Sequence, residues 1–211
     1  IISIGTENNL LSLSTTDNGR LQARVGDKDD VYQTDTWLPA NKWIYMALSY
    51  KHKSTTDNQN RLSMLYVLPD DKAPRYVGKN VTAKELSGHG KVGVGGDGMQ
   101  GMIAALSIWN SDITADELYE SRNRIRASYS PGLVGYWRMD EGHGTQLTDR
   151  ARSRNMHMDT ESWYINNVYY AAHISGEEGS ALKVDISSFN PSKTDNYAFE
   201  MWFRGNEEDN Q

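Results

Sequence analysis

Asp159 and Glu161 stand two residues apart in Asp159-Thr160-Glu161. That spacing puts both side chains on one face if the segment is a strand. A facing pair of carboxylates is what retaining hydrolysis of a glycosidic bond requires. The alternative is a solvated loop, which is the expectation adopted for this pair. Asp140-Glu141-Gly142-His143-Gly144 gathers two carboxylates and an imidazole within five residues, a grouping that raises the question of a metal. His52, His89, His143, His157 and His173 are otherwise scattered, with no two at a metal-ligand interval on a recognisable element. The absence of cysteine removes thiolate ligands and disulfides. Val92-Gly93-Val94-Gly95-Gly96-Asp97-Gly98 is glycine-rich but lacks the Lys-Ser/Thr and following helix of a phosphate loop. It is expected to be a strand and a tight turn. No Ser-His-Asp pattern is visible. Asp27-Lys28-Asp29-Asp30 and Asp70-Asp71 offer oxygens for a weakly held cation, although solvated charge accounts for both.

Four aromatic residues remain, Trp163-Tyr164 and Tyr169-Tyr170. Aromatic faces stack on the C–H surfaces of sugar rings, so these are the candidate ligand-binding residues, with core packing as the competing role. Bulk charge narrows the partners further. Asp and Glu number 28 against 22 Lys and Arg, a net charge of −6. With no basic cluster, neither nucleic acid nor an anionic membrane has the positive surface it needs. No apolar run reaches the length of a membrane span. The chain opens on Ile1 with no signal peptide and is read as an excised or processed piece.

The elements that position these groups are strands. Ile44, Met46 and Leu48 alternate with polar or smaller neighbours, as do Leu62, Met64 and Tyr66, and Tyr197, Phe199, Met201 and Phe203. Period-two alternation over this length marks half-buried strands. Asp17-Asn18-Gly19, between two such runs, predicts a hairpin because Asn-Gly tolerates positive φ. One helix is expected over 114–126. Thr114-Ala115-Asp116-Glu117 forms a capping box, Ile113 and Leu118 suit a hydrophobic staple, and Arg122, Arg124 and Arg126 would favour the C-terminal end of the dipole. Ser130-Pro131-Gly132 reads as a linker. The fold class expected is an all-β, two-sheet antiparallel jelly-roll sandwich with that one short helix.

Beyond the linker, Leu133-Val134-Gly135-Tyr136-Trp137-Arg138-Met139-Asp140-Glu141-Gly142-His143-Gly144-Thr145, followed by Asp149, resembles the opening of bacterial LamG-like jelly-roll domains of the concanavalin A-like superfamily. Ser180-Ala181-Leu182-Lys183-Val184 and Tyr197 to Arg204 resemble the strands that follow in that family. The family's second half is matched earlier in the chain, by Trp43 to Leu48, Leu65-Tyr66-Val67, Val94-Gly95-Gly96 and Gly101 to Asn110. Residues 1–128 therefore resemble the back half of one repeat and residues 133–211 the front half of the next. The chain has the parts of one domain in permuted order, as a slice through a tandem array would. A half domain alone exposes a sheet edge and half a core. The halves are thus expected to share one core, either within a chain or by exchange between chains, and Ile1 to Gly5 should lie in the same domain as Phe199 to Arg204.

The resemblance implies a function class and qualifies the candidate sites. It implies a non-catalytic binding or adhesion module of a bacterial surface or secreted protein, with a glycan, a surface protein or neighbouring repeats as partners. A structural spacer repeat is the alternative. Family 16 glycoside hydrolases share the fold and carry Glu-x-Asp-x-x-Glu on a strand, a pattern missing here, so no catalytic residue is assigned. The 140–144 cluster becomes a structural turn. Calcium in related domains is commonly held by the Asp of an Ile-Asp-Glu strand. The matching position here is Ala104, so no cofactor is expected at that point. Trp163, Tyr164, Tyr169 and Tyr170 fall where the family places variable loops over a sheet face.

Overall fold

The computed structural model describes residues 1–6, 9–16, 18–26, 31–52, 60–81, 90–96, 98–165, 170–177, 180–186 and 196–206. The strands in chain order are β1 (Ile2–Thr6), β2 (Asn9–Thr15), β3 (Arg20–Gly26), β4 (Val31–Trp37), β5 (Ile44–Lys51), β6 (Asn60–Val67), β7 (Arg75–Val81), β8 (Gly90–Val94) and β9 (Gln100–Trp109). Helix α1 (Ala115–Glu120) follows. Then come β10 (Leu133–Trp137), β11 (Gln146–Leu147), β12 (Met156–Met158), β13 (Trp163–Ile165), β14 (Tyr170–Ser175), β15 (Leu182–Ile186) and β16 (Asn196–Gly205). They form two antiparallel sheets. Sheet I runs β11-β12-β15-β8-β1-β2-β3-β4, and sheet II runs β13-β14-β9-β16-β5-β6-β7 with β10 also paired to β9. The protein is an all-β, jelly-roll-like sandwich, with one short helix among the described residues.

The alternating runs face inward as their period requires. Ile44, Met46, Leu48 and Tyr50 of β5, Leu62, Met64 and Tyr66 of β6, and Tyr197, Phe199, Met201 and Phe203 of β16 meet Leu11, Leu13, Leu21, Ala23 and Val25 of sheet I in one buried cluster. Tyr50 and Tyr197 stack in that core at 5.8 Å with an interplanar angle of 8°. Full burial of each such side chain stabilises by ~1.5–3 kcal/mol. Strands from both sides of Gly132 pair in both sheets: β16 inserts between β5 and β9 in sheet II, and β15 pairs with β8 in sheet I. Both segments therefore contribute to the one inter-sheet cluster. Ile2 and Ser3 of β1 line a common cavity with Phe203 and Gly205 of β16.

The β2–β3 hairpin turns through Gly19 at φ +72°, with the Gly19 amide donating to the Thr16 carbonyl at 2.8 Å. Asp17 lies outside the described residues. The Thr114 capping box forms as its sequence predicts: the Glu117 amide donates to the Thr114 hydroxyl and the Glu117 carboxylate receives the Thr114 amide. Ala115 and Leu118 then pack on the outer face of sheet II against Tyr45, Ala47 and Leu65.

The far end of the helix departs from expectation, since α1 is six residues long and stops at Glu120 rather than near residue 126. The Ser121 hydroxyl donates to the Glu117 and Leu118 carbonyls at 2.6 and 3.2 Å, and Arg122 donates to the Tyr119 carbonyl at 2.7 Å. These bonds satisfy the last carbonyls and terminate the helix. The segment that would have continued it crosses sheet II instead. Ser130-Pro131-Gly132 is a tight turn docked on the end of β9, with the Asn110 amide donating to the Gly132 carbonyl at 2.8 Å. Glycine is required there: φ is +77° and a β-carbon would lie 2.4 Å from Ser111.

Candidate functional site

The outer face of sheet II is organised by one buried carboxylate. Alternation along β16 turns Phe199 and Met201 inward and Glu200 outward, where the post-helix segment covers it. Glu200 accepts from the Tyr45 hydroxyl at 2.5 Å, from the Ser107 hydroxyl at 2.7 Å and from Arg126 Nε at 3.0 Å, with a second bond from Arg126 Nη2. Ser107 in turn accepts from the Trp109 indole at 2.8 Å. The Arg126 and Glu200 side chains are only 8% and 6% exposed. Burial pushes the Tyr45 hydroxyl well above the usual tyrosine range, and the Glu200 charge pushes it further. This network ties residues 121–132 onto the sheet.

Beside that clasp lies a cleft of about 490 Å³, within the usual size range for small-ligand sites. Its floor is a bulge in β9. Before the bulge β9 pairs with β14 through Gln100 to Ile103, and after it with β10 through Leu106 to Trp109. Ala104 and Ala105 fall where the two neighbours part, with Ala105 at φ +52°. One wall is the post-helix stretch from Arg122 to Ile125, and the other carries Arg138, Asp140 and Tyr170. Arg138 and Arg150 each hold Asp140, at 3.1 and 3.2 Å. Ile125 and Tyr170 give the rim apolar surface, 71% and 43% exposed. A β-carbon at Gly142, where φ is +70°, would lie 2.7 Å from the Tyr170 ring, so glycine lets that ring rest against the turn.

The four candidate aromatic residues separate. Tyr170 lines the cleft. Trp163 is half-buried against the inter-sheet core, and its indole donates to the Gly144 carbonyl at 2.8 Å. Tyr164 faces the opposite side of β13, with the Arg204 guanidinium 5.7 Å from its ring centroid. Tyr169 lies outside the described residues. Asp159 and Glu161 occupy the exposed connection between β12 and β13, where Asp159 pairs with Lys183 at 2.8 Å.

The 140–144 cluster is a turn in which Asp140 and one oxygen of Glu141 are engaged locally, while His143 is exposed. Glu141 accepts from the Thr148 amide at 2.8 Å, and Gly142 and Gly144 both have positive φ. Asp149 completes the turn by accepting from the amides of Tyr136, Ala151, Arg152 and Arg154 at 2.8–3.1 Å. Asp71 is bound by Arg75, which holds its carboxyl below the usual range. Residues 27–30 and His89 lie outside the described residues. Among the described residues, no three His, Asp or Glu side chains gather at metal-binding distance. At Ala104 the donor set does not fit calcium: the lining residues bring three guanidiniums and one carboxylate already held by arginines.

A second groove, of about 620 Å³, crosses the same sheet on the far side of α1, over Ser49, Ser63 and Gly78. Tyr76 forms its wall and donates to Asp116 at 2.5 Å, a bond that pushes the phenol up to about 12. The sequence does not reveal the cleft arginines, because Arg122 and Arg124 read as the end of a longer helix and Arg138 as part of the strand that resembles the family's opening. Nor does it reveal Glu200, because outward alternation reads as solvated. The one available signal was a lone acid in an apolar strand. Comparison with known proteins returns no matching family model, curated protein or solved structure.

Proposed function

We propose that the chain is a non-catalytic carbohydrate-binding module, LamG-like in type and with its halves in permuted order, serving a bacterial surface or secreted protein. The observation that carries this reading is the cleft on sheet II, where an exposed Tyr170 ring and fixed guanidinium donors converge over a floor of two alanines. Stacking surface combined with rigidly placed polar groups is the chemistry of a saccharide site. The family resemblance rests on the residues quoted above, and β16 lying between β5 and β9 agrees with it. Residence outside the cell belongs to the same proposal. Among the described residues no helix is long and apolar enough to cross a membrane.

Glycan-array binding of the chain and of Tyr170→Ala tests the reading. Retained glycan binding by the parent, lost in Tyr170→Ala with an unchanged melting temperature, is the expected result. Trp163→Ala is a poorer probe, because its indole holds Gly144 and packs on the core, so its loss tests the fold. No glycan binding by the parent would turn the assignment towards a spacer repeat. Calcium is not part of the proposal. A site filled at a hundred times its dissociation constant would add ~2.7 kcal/mol. Melting in chelator and in millimolar calcium should therefore agree within a degree.

A further inference from the structure

We infer that the cleft on sheet II selects an acidic saccharide, one whose ring carries a carboxylate. This deepens the carbohydrate reading and rests on it. The chain as a whole is acidic at −6, yet the cleft gathers Arg122, Arg124 and Arg138 against Asp140 alone. Asp140 is matched by the ion pairs from Arg138 and Arg150. Arg122 is fixed over the Tyr119 ring at 3.9 Å with one nitrogen on the Tyr119 carbonyl. Arg124 stands exposed at the mouth. A guanidinium presents five N–H donors in a planar fork that matches a carboxylate two at a time, and these groups keep donors to spare.

The rim supplies the remainder of the recognition. Ile125 and Tyr170 offer apolar surface on which the C–H face of a pyranose ring would rest while its carboxylate reaches the arginines. A bare inorganic anion would leave that surface unused. An acidic peptide is disfavoured by the floor. β9 is paired to β14 up to Ile103 and to β10 from Leu106, and the Ala105 amide donates to the Arg138 carbonyl at 3.4 Å, so the gap at Ala104 and Ala105 is too short for main-chain addition.

The test is binding of uronic-acid oligosaccharides, each paired with its methyl ester, which keeps the ring and removes the charge. Poly-glutamate and inorganic sulfate are the comparison probes. The free acids should bind at least about tenfold more tightly than their esters, the value of one charge-assisted contact. Raising sodium chloride from low to high should weaken the acids and leave the esters unchanged. Arg124→Ala should lose several-fold, and Arg124→Glu should abolish binding of the acids. Arg124 is exposed and outside the Glu200 clasp, so both variants should fold, which melting would check.

Equal binding of acids and esters, or an unaffected Arg124→Glu, would overturn the inference while leaving the carbohydrate reading intact. Poly-glutamate bound as tightly as the uronates would overturn it in favour of an acidic protein partner. Sulfate bound as tightly would reduce the site to an anion trap. Binding of no saccharide at all would remove both readings.

Discussion

Arg124 and Arg126 stand two residues apart in the same irregular segment, yet they serve opposite purposes. Arg126 is buried, with its Nε 3.0 Å from Glu200, and its guanidinium also lies 5.6 Å from the Trp109 ring centroid. Arg124 opens onto the cleft. Residue type does not distinguish them; desolvation and a fixed partner do. A charge taken out of water needs its counter-charge and bonds for its remaining polar atoms, so Arg126 and Glu200 are committed to each other. An exposed guanidinium costs little to leave unpaired and remains available to a ligand. The clasp also gives the cleft its wall, because it fixes the segment that carries Arg122 to Ile125.

The comparison breaks most visibly when one partner of the clasp is removed. Glu200→Ala leaves Arg126 buried without a counter-charge and takes the acceptor from Tyr45 and Ser107. A loss of about 3–5 kcal/mol is expected from urea unfolding. Arg124→Ala should stay within ~0.5 kcal/mol of the parent. Similar losses from the two variants would mean that the segment is held elsewhere. A paired Arg126→Met, Glu200→Leu variant should recover part of the stability, since it leaves no orphaned charge, while the Tyr45 and Ser107 hydroxyls still lack their acceptor.

The next effect appears in alkali. Tyr45 has a folded pKa raised above the ordinary tyrosine value of about 10, by burial first and by Glu200 second. Its contribution is fully present below the unfolded pKa. Above that pH the unfolded chain releases the phenolic proton and the folded chain keeps it. Stability must then fall as pH rises, by up to ~1.4 kcal/mol per pH unit for one proton. Tyr136 and Tyr76 are shifted the same way and add to the slope. Tyr45→Phe should lower stability at neutral pH through the lost bond to Glu200, and should flatten the decline above pH ~10. An unchanged alkaline slope in Tyr45→Phe would place the effect on the other tyrosines.

The limits of sequence reading follow the same division between local and distant causes. Strand faces were legible at Ile44, Met46 and Leu48 and along Tyr197 to Phe203, because a period of two needs only neighbouring residues. The start of α1 was legible for the same reason: Thr114 and Glu117 cap each other three residues apart. Its end was not. Ser121 caps the helix with a side chain that has no strong signature, and the chain beyond is drawn away by a glutamate 74 residues downstream of Arg126. The cleft is assembled from four distant stretches, around residues 104, 124, 139 and 170. Of these the sequence marked Tyr170 as an aromatic and Ala104 as a missing carboxylate. Arg122 and Arg124 carry a helical reading that only the tertiary structure replaces.

The smallest expected effect concerns the cleft floor itself. Ala105 sits at φ +52° in the bulge that separates β10 from β14 along β9. An L-residue with a β-carbon pays roughly 1–2 kcal/mol in that left-handed region, and glycine escapes the cost. Glycine also adds freedom to the unfolded chain, worth ~0.4–1 kcal/mol in the opposite direction. Ala105→Gly should therefore gain between about zero and roughly 1.6 kcal/mol in urea unfolding. Ala105→Val, branched at the β-carbon, should lose more than Ala105→Gly gains. Neither touches Glu200 or Arg126, so the alkaline slope should be unchanged in both. A clear loss of stability in Ala105→Gly would mean that the methyl group packs in the floor and outweighs the backbone strain. The bulge would then be held by side-chain contact in the cleft, and ligand affinity should fall together with stability.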